Sequence, residues 1–336
     1  MTELSVIIPV LNDAAMLATA LNNLDEQDDV DLEVIVADGG SVDDAADIAR
    51  SHGATFVVSA SGRGTQMNSG RLAANGEYLL FLHADCSFTE PRQLRNALDR
   101  IAAASPTTAG HFRLKFFDCD GGFKYRYLEA KTRLNRLNTT NGDQGLLLRA
   151  SLFDDVGGYD ERMNFLEDQR IAETIRRSGT LITLPGTLRT SARRFETEGF
   201  GRRYLLMAIT MGCFDAGVDQ FFDYAPRVYP VQEDTGALDL MPYFQAIWKV
   251  TITRGAFDAW WDVGKFIRKN AWQIPFALDV RFGTRRMTAF FDRYIAPAMN
   301  NVVVDMVSFV VSLFCFAVLF PAIVWVLDRH DEPTIA

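Results

Sequence analysis

Asp85 ends the apolar run Gly76-Glu77-Tyr78-Leu79-Leu80-Phe81-Leu82-His83-Ala84-Asp85, which reads as a strand buried on both faces. Open α/β sheets bind ligands at the carboxyl ends of their strands, and Mg²⁺ or Mn²⁺ favours carboxylate oxygens when it bridges a diphosphate to protein. Asp85 is therefore the expected ligand of a divalent cation. His83 lies two residues earlier and on the same side of the strand. Imidazole binds Mn²⁺ but suits Mg²⁺ poorly, and a packed or hydrogen-bonded His83 is the favoured reading. Two further apolar runs end in acids: Leu32 to Ala37 in Asp38-Gly39-Gly40-Ser41, and Leu4 to Val10, through Pro9, in Leu11-Asn12-Asp13. An Asp-Gly pair alone is a common turn, but three acid-ended strands on one rim are hard to assign to turns.

Glu167-Asp168 opens an expected helix, Gln169 to Arg177. Acids in a first helical turn stabilise the helix dipole, and one held beside a ligand site can equally take a proton from an attacking hydroxyl. Asn141-Gly142-Asp143-Gln144-Gly145 is polar enough to line the same cleft. Ser191-Ala192-Arg193-Arg194-Phe195-Glu196 offers paired guanidinium groups that match diphosphate oxygens, although surface arginines look the same in sequence.

These residues need a frame. From Leu4 to about Leu184, apolar runs alternate with amphipathic stretches. Strands are expected at Ser5–Val10, Leu32–Ala37, Ala54–Val58 and Tyr78–Leu82, with helices at Ala14–Leu24, Ser41–Ser51 and Gln66–Asn75 between them. The alternation predicts an α/β fold with a mostly parallel sheet, flanking helices and right-handed crossovers. After Asp85 the pattern loosens into a helix at Arg92–Ala104 and a strand near His111–Phe117, which suggests a mixed sheet edge. The expected division is an α/β domain over 1–199, a helical segment over 200–302, a membrane span over 303–327 and a tail over 328–336.

The 336 residues are 48% hydrophobic, ample for a large core, and a net charge of -9 argues against a nucleic-acid partner, whose phosphates require clustered Lys and Arg. Residues 245–300 are the exception, with nine Lys and Arg against four Asp. Trp248, Trp260, Trp261 and Trp272 interleave there with Lys249, Arg254, Lys265, Arg268 and Lys269. That is the pattern of helices lying on a membrane surface with their rings at headgroup level; a helical subdomain with core tryptophans is the alternative, and the neighbouring apolar span favours the first. Met306–Leu327 runs 22 residues without a charge between Asp305 and Asp328, long enough to cross a bilayer, with Pro321 as a tolerated kink. Arg281, Arg285, Arg286 and Arg293 precede this span and Arg329 alone follows it, so the positive-inside rule keeps the large domain cytoplasmic. A single-pass protein of the inner (cytoplasmic) membrane is expected. Met1 leads almost at once into the first strand, and no signal peptide is expected. Cys86, Cys119, Cys213 and Cys315 show neither close pairing nor metal-ligand spacing and read as free thiols.

Taken in order, these features resemble the family-2 glycosyltransferases of the GT-A fold, inverting enzymes that use nucleotide sugars. The resemblance covers about Leu4 to Glu196: Pro9 with Asn12-Asp13; Asp38-Gly39-Gly40-Ser41; Asn68-Ser69-Gly70 leading to Gly76-Glu77-Tyr78 and Asp85; Gly157-Gly158-Tyr159-Asp160-Glu161; and Glu167-Asp168. The wording Gly62-Arg63-Gly64-Thr65-Gln66-Met67-Asn68, His83-Ala84-Asp85 and Gly142-Asp143-Gln144-Gly145 is similar to a little-characterised, membrane-associated bacterial subgroup. The resemblance implies that Asp38 meets the nucleotide base, that Asp85 meets the metal and diphosphate, and that Asp168, with Glu167 beside it, is the general base. Pro9, Asn12, Asp13, Gly39, Arg63, Gln66, Asn68, Ala84 and Arg194 complete the implied nucleotide-sugar surface, and Gly142, Asp143, Gln144 and Arg193 the substrate side. His83 stands where the family has the first acid of Asp-x-Asp, and Ser191 where it has the Gln of Gln-x-x-Arg-Trp. The second departure and the single span argue against a processive synthase. The implied activity moves a sugar from a nucleotide diphosphate sugar, with Mg²⁺ or Mn²⁺, to a hydroxyl of a lipid or lipid-linked acceptor at the cytoplasmic membrane face. Two other classes stay open on sequence. One is a non-catalytic membrane-anchored nucleotide-sugar-binding protein, in which His83 marks a lost metal site. The other is a sugar-phosphate nucleotidylyltransferase, suggested by Gly62-Arg63-Gly64-Thr65.

Overall fold

The seven residues of β1, Leu4–Val10, are buried throughout, and a strand with no solvent face must lie inside a sheet covered on both sides. A computed structural model describes residues 2–163, 165–225, 236–254, 256–319 and 321–322, in two units, Met1–Arg193 and Arg194–Ala336. In the first, β2 (Leu32–Asp38), β3 (Thr55–Val58) and β4 (Tyr78–Phe81) join β1 as a parallel set, linked through α1 (Ala14–Asp25), α2 (Ala45–Ser51) and α3 (Arg63–Ala73). The chain continues through β5 (Cys86–Phe88), α4 (Gln93–Ala102), β6 (Thr108–Phe117), α5 (Phe123–Lys131), β7 (Leu146–Arg149), α6 (Ala150–Asp155), α7 (Glu167–Ser178) and β8 (Thr180–Ser191). The sheet order is β3-β2-β1-β4-β7-β6-β8-β5, with β7 antiparallel to β4 and β6, β8 parallel to β6, and β5 antiparallel to β8. The mixed α/β sheet agrees with the sequence reading.

Side chains of β1 alternate between two cores. Leu4, Val6, Ile8 and Val10 pack with Leu17 and Leu21 of α1 and Leu94 and Leu98 of α4, while Ile7 joins Met67 of α3 and Ile171 and Ile175 of α7. Each such fully buried Leu or Ile contributes about 1.5–3 kcal/mol. β1 also places the site. It lies between β2 and β4, so the strand order reverses at β1 and a crevice opens at the carboxyl ends, where Val10 pairs Asp38 and Ile7 pairs Phe81.

The parallel half matches the sequence expectation closely. α2 begins at Ala45 rather than Ser41 because the amides of Gly40 and Ser41 turn back onto Asp38. α7 begins two residues early, so Glu167 and Asp168 lie inside its first turn. β5, β7 and α5 carry no clear periodicity in sequence, and β7 finds its place only by pairing with β4.

α8 (Arg193–Glu198) carries the chain into the second unit, which holds α9 (Phe200–Asp215), α10 (Asp219–Tyr224), α11 (Met241–Arg254), α12 (Ala256–Lys269), α13 (Gln273–Phe282), α14 (Arg286–Phe290), α15 (Ala296–Ala298) and α16 (Val302–Phe314). π-helical turns at Phe291–Ile295 and Cys315–Leu319 extend α14 and α16. α12 lies so close along α16 that a Cβ on Gly264 would fall 2.7 Å from the Phe309 amide nitrogen. Ser312 donates to the Trp260 carbonyl at 2.9 Å, and Arg268 pairs with Asp305 at 2.7 Å. Val302–Leu319, 18 residues of mean hydropathy 2.6, is long and apolar enough to cross a membrane. Trp260 and Trp272 are 6% and 5% exposed, so the expectation that these rings sit at headgroup level does not hold for them; Trp248 is 58% exposed. The end of the expected span (residues 320 and 323–327) and the 328–336 tail lie outside the described residues.

Candidate active site

The loops after β1 and β2 are stitched together. Asn12, at φ 50, donates its amide to Ser41 Oγ and accepts from the Val42 amide, both at 2.8 Å. Asp38 is buried and accepts from the amides of Gly40 at 2.9 Å and Ser41 at 3.0 Å, which fixes the Gly39-Gly40 turn under the rim. Gln66 lies beneath the same edge and donates to the carbonyls of Val10 and Ala37 at 2.7 and 2.8 Å. Asn68 donates to Tyr159 O and Glu161 Oε1 and accepts from the Tyr159 amide.

These contacts correct three expectations. Gln66 and Asn68 do not present their amides to a nucleotide, because every polar atom of Asn68 and both hydrogens of the Gln66 amide are committed to backbone or side chains of this chain. Gln144 is wholly buried; its Nε2 lies at 2.9 Å from Phe112 O and its Oε1 accepts from the Asn141 amide. It shapes the 142–144 turn instead of lining the substrate side. All three hold the rim that other groups occupy.

His83, Asp85 and Asp143 form a group at that rim that could hold a cation: one ligand atom from each lies within 4.8 Å of the others. His83 Nδ1 is 2.8 Å from Asp143 Oδ1, close to the roughly 3 Å spacing of neighbouring donors around an ion with bonds of about 2.1 Å. Burial opposes a charged imidazolium at His83, but the hydrogen bond and charge of Asp143 prevail and raise its pKa above the ordinary value. Cys86 donates its thiol to the Asp143 carbonyl at 3.2 Å, and burial pushes that thiol's pKa well up, so it stays neutral. One imidazole and two carboxylates fit Mn²⁺ better than Mg²⁺. His83 thus both makes the hydrogen bond expected of it and sits within the metal-competent set. Asp143, expected on the substrate side, joins it from 58 residues beyond Asp85, a distance no sequence pattern bridges.

Asp168 lies on the other side of the same turn. The Gly142 amide donates to its Oδ2 at 2.5 Å and the Gln169 amide to its Oδ1 at 2.8 Å. Burial first, and then the neighbouring Glu167 charge, push the Asp168 pKa up to about 6, against the pull of Arg63 and these two amides. Glu167, expected among the catalytic residues, has a side chain 2% exposed and pairs with Arg63, Nε to Oε1 at 2.8 Å. A small cavity below the turn is lined by Phe81, Leu146, Tyr159 and Ile171, with His83 and Asp168 at its polar end. Pro9 and Ala84 are buried beneath the rim. Asp13 and Arg193 pair with each other in a two-toothed contact, Arg193 Nη1 to Asp13 Oδ1 at 3.0 Å. Arg194 belongs to the second unit.

A parallel sheet that reverses order at an acid-rimmed crevice and continues into antiparallel strands is a GT-A fold. Residues 5–157 match the family model described as Glycosyl transferase family 2. Relatives from Mycobacterium bovis (strain BCG) and Mycobacterium tuberculosis (strain H37Ra), both "PGL/p-HBAD biosynthesis glycosyltransferase", are 31% identical over 175 residues. That alignment takes in 49% of this chain and 66% of the relatives' length. Among solved structures, S. aureus TarS 1-349 in complex with UDP is 17% identical and superposes with a TM-score of 0.50 over 87% of this chain and 91% of its own, a likeness of fold.

Proposed function

We propose that this protein is an inverting glycosyltransferase that takes a nucleotide diphosphate sugar and transfers the sugar to a hydroxyl of a lipid or lipid-linked acceptor. The observation that carries the reading is the 142–144 turn, which touches a carboxylate of raised pKa on one side and bears a cation ligand on the other. Asp168 is suited to accept the acceptor's hydroxyl proton near neutral pH as oxygen attacks the anomeric carbon from the face opposite the diphosphate. A single displacement inverts that carbon. His83, Asp85 and Asp143 would hold Mn²⁺ or Mg²⁺, which supplies neutralising charge for the departing diphosphate. Arg63, 44% exposed beside Glu167, adds positive charge at the same rim. In this reading the nucleotide base meets the loop after β2, whose turn Asp38 holds from beneath.

The apolar helix Val302–Leu319 and the arginines before it support an anchor in the inner membrane with the α/β unit on the cytoplasmic side, near lipid acceptors. Thermal stabilisation of the detergent-purified protein by UDP, GDP, CMP and dTDP sugars, each with Mn²⁺, Mg²⁺ or chelator, tests the donor site. One nucleotide sugar is expected to stabilise in a cation-dependent way, with the effect lost in Asp85→Ala. A folded protein that answers none of them would overturn the reading.

A further inference from the structure

Asp279 fixes a helical hairpin whose outer face nothing in the described residues covers. Its carboxylate is 2% exposed and accepts from the amides of Met287 and Thr288, at 3.1 and 2.7 Å, and from the Thr284 hydroxyl. α13 and α14 are thereby joined around Gly283, whose φ of 66 makes the turn. On α13, Ile274, Leu278 and Phe282 recur every four residues and are 71%, 42% and 66% exposed. Beyond the turn Phe290 and Tyr294 are 57% and 56% exposed, and neither α14 nor its π extension buries any residue. Arg281, Arg285, Arg286 and Arg293 stand exposed along the same segment, and Asp292 is the only acid between residues 280 and 300.

Soluble surfaces rarely hold so many large apolar side chains in one rigid patch without a partner. Rings and branched aliphatics fringed by arginines match the boundary between acyl chains and anionic headgroups. Continuity points the same way: Val302, the start of the apolar helix α16, follows Ile295 by seven residues. We infer that the α13–α14 hairpin is an in-plane anchor, seating Ile274, Leu278, Phe282, Phe290 and Tyr294 in the surface of a bilayer rich in anionic phospholipid, with its arginines on the phosphates. This rests on the membrane placement proposed above.

The test uses the full chain in vesicles of phosphatidylcholine and phosphatidylglycerol, with Cys119 and Cys315 replaced by Ser and a spin label at Phe282→Cys, Phe290→Cys, Val310→Cys in α16 or Asp47→Cys in α2. Labels at 282 and 290 are expected to meet oxygen far more often than an aqueous nickel chelate, at a depth of about 5–10 Å, and to rise toward water when the four arginines become Gln. If both labels are as open to the chelate as the one at 47, the anchor is overturned, even with position 310 in lipid. If 282 and 290 lie in lipid while 310 does not, the hairpin stands and the spanning helix falls. Spin–spin broadening at 290 without oxygen contact would overturn it in favour of a second copy of the chain.

Discussion

Gly142 donates its amide to Asp168 at 2.5 Å, while a Cβ on Gly142 would lie 2.8 Å from the His83 ring. The backbone that carries Asp143 is therefore wedged between the proposed base and the imidazole proposed as a cation ligand, and a shift of one disturbs the other. Five outcomes are expected from this arrangement.

Asp168→Asn should leave nucleotide-sugar binding intact and lower turnover by about 10²–10⁴-fold. The charge on Asp168 also makes stability depend on pH. A folded-state pKa of about 6 lies above the ordinary 3.8, so the native state binds more protons than the unfolded chain between these values, and stability falls as pH rises through that window. Normal turnover in this variant would exclude Asp168 as the base.

Activity should fall as pH drops through about 6, where Asp168 takes up its proton. Glu167→Gln removes a nearby negative charge, so the acid limb of kcat/KM should move down; Arg63→Gln removes a positive one and should move it up. Limbs that stay in place would show that the Arg63–Glu167 pair only holds the loop.

Gly142→Ala should reduce kcat by at least tenfold with little change in Tm, because the added methyl displaces His83 or the turn locally. A kcat equal to the parent would mean that the loop gives way without consequence.

Stabilisation by divalent cation should favour Mn²⁺ over Mg²⁺, since His83 contributes nitrogen to an otherwise carboxylate set. His83→Asp should narrow or reverse that preference, and Asp143→Asn should weaken both ions. Calorimetric titration of each protein with each metal decides it.

Gln66→Ala should cost about 1–3 kcal/mol in urea unfolding, because it strips the buried carbonyls of Val10 and Ala37 of a shared donor. A loss of nucleotide binding with unchanged stability would instead restore Gln66 to the ligand surface.

The sequence by itself determined the parallel half of the sheet, since runs such as Leu4–Val10 and Tyr78–Phe81 are apolar on both faces and admit no other environment, and their ends place Asp38 and Asp85 on one rim. It also marked Asp168 as a carboxylate at a helix start and Met306–Leu327 as an apolar span, which overlaps the apolar helix Val302–Leu319, because charge position and local hydropathy are written in consecutive residues. Only the tertiary structure decided how distant side chains pair. Asp143 meets His83 across 60 residues, Arg63 meets Glu167 across 104, and Arg193 meets Asp13 across 180, so long-range packing, which no local period encodes, assembles the proposed cation set and sets the charge around the proposed base. The same packing takes Gln66, Asn68 and Gln144 out of the cleft and buries Trp260 and Trp272, because a polar or aromatic side chain looks alike in sequence whether it faces a ligand or satisfies a buried neighbour.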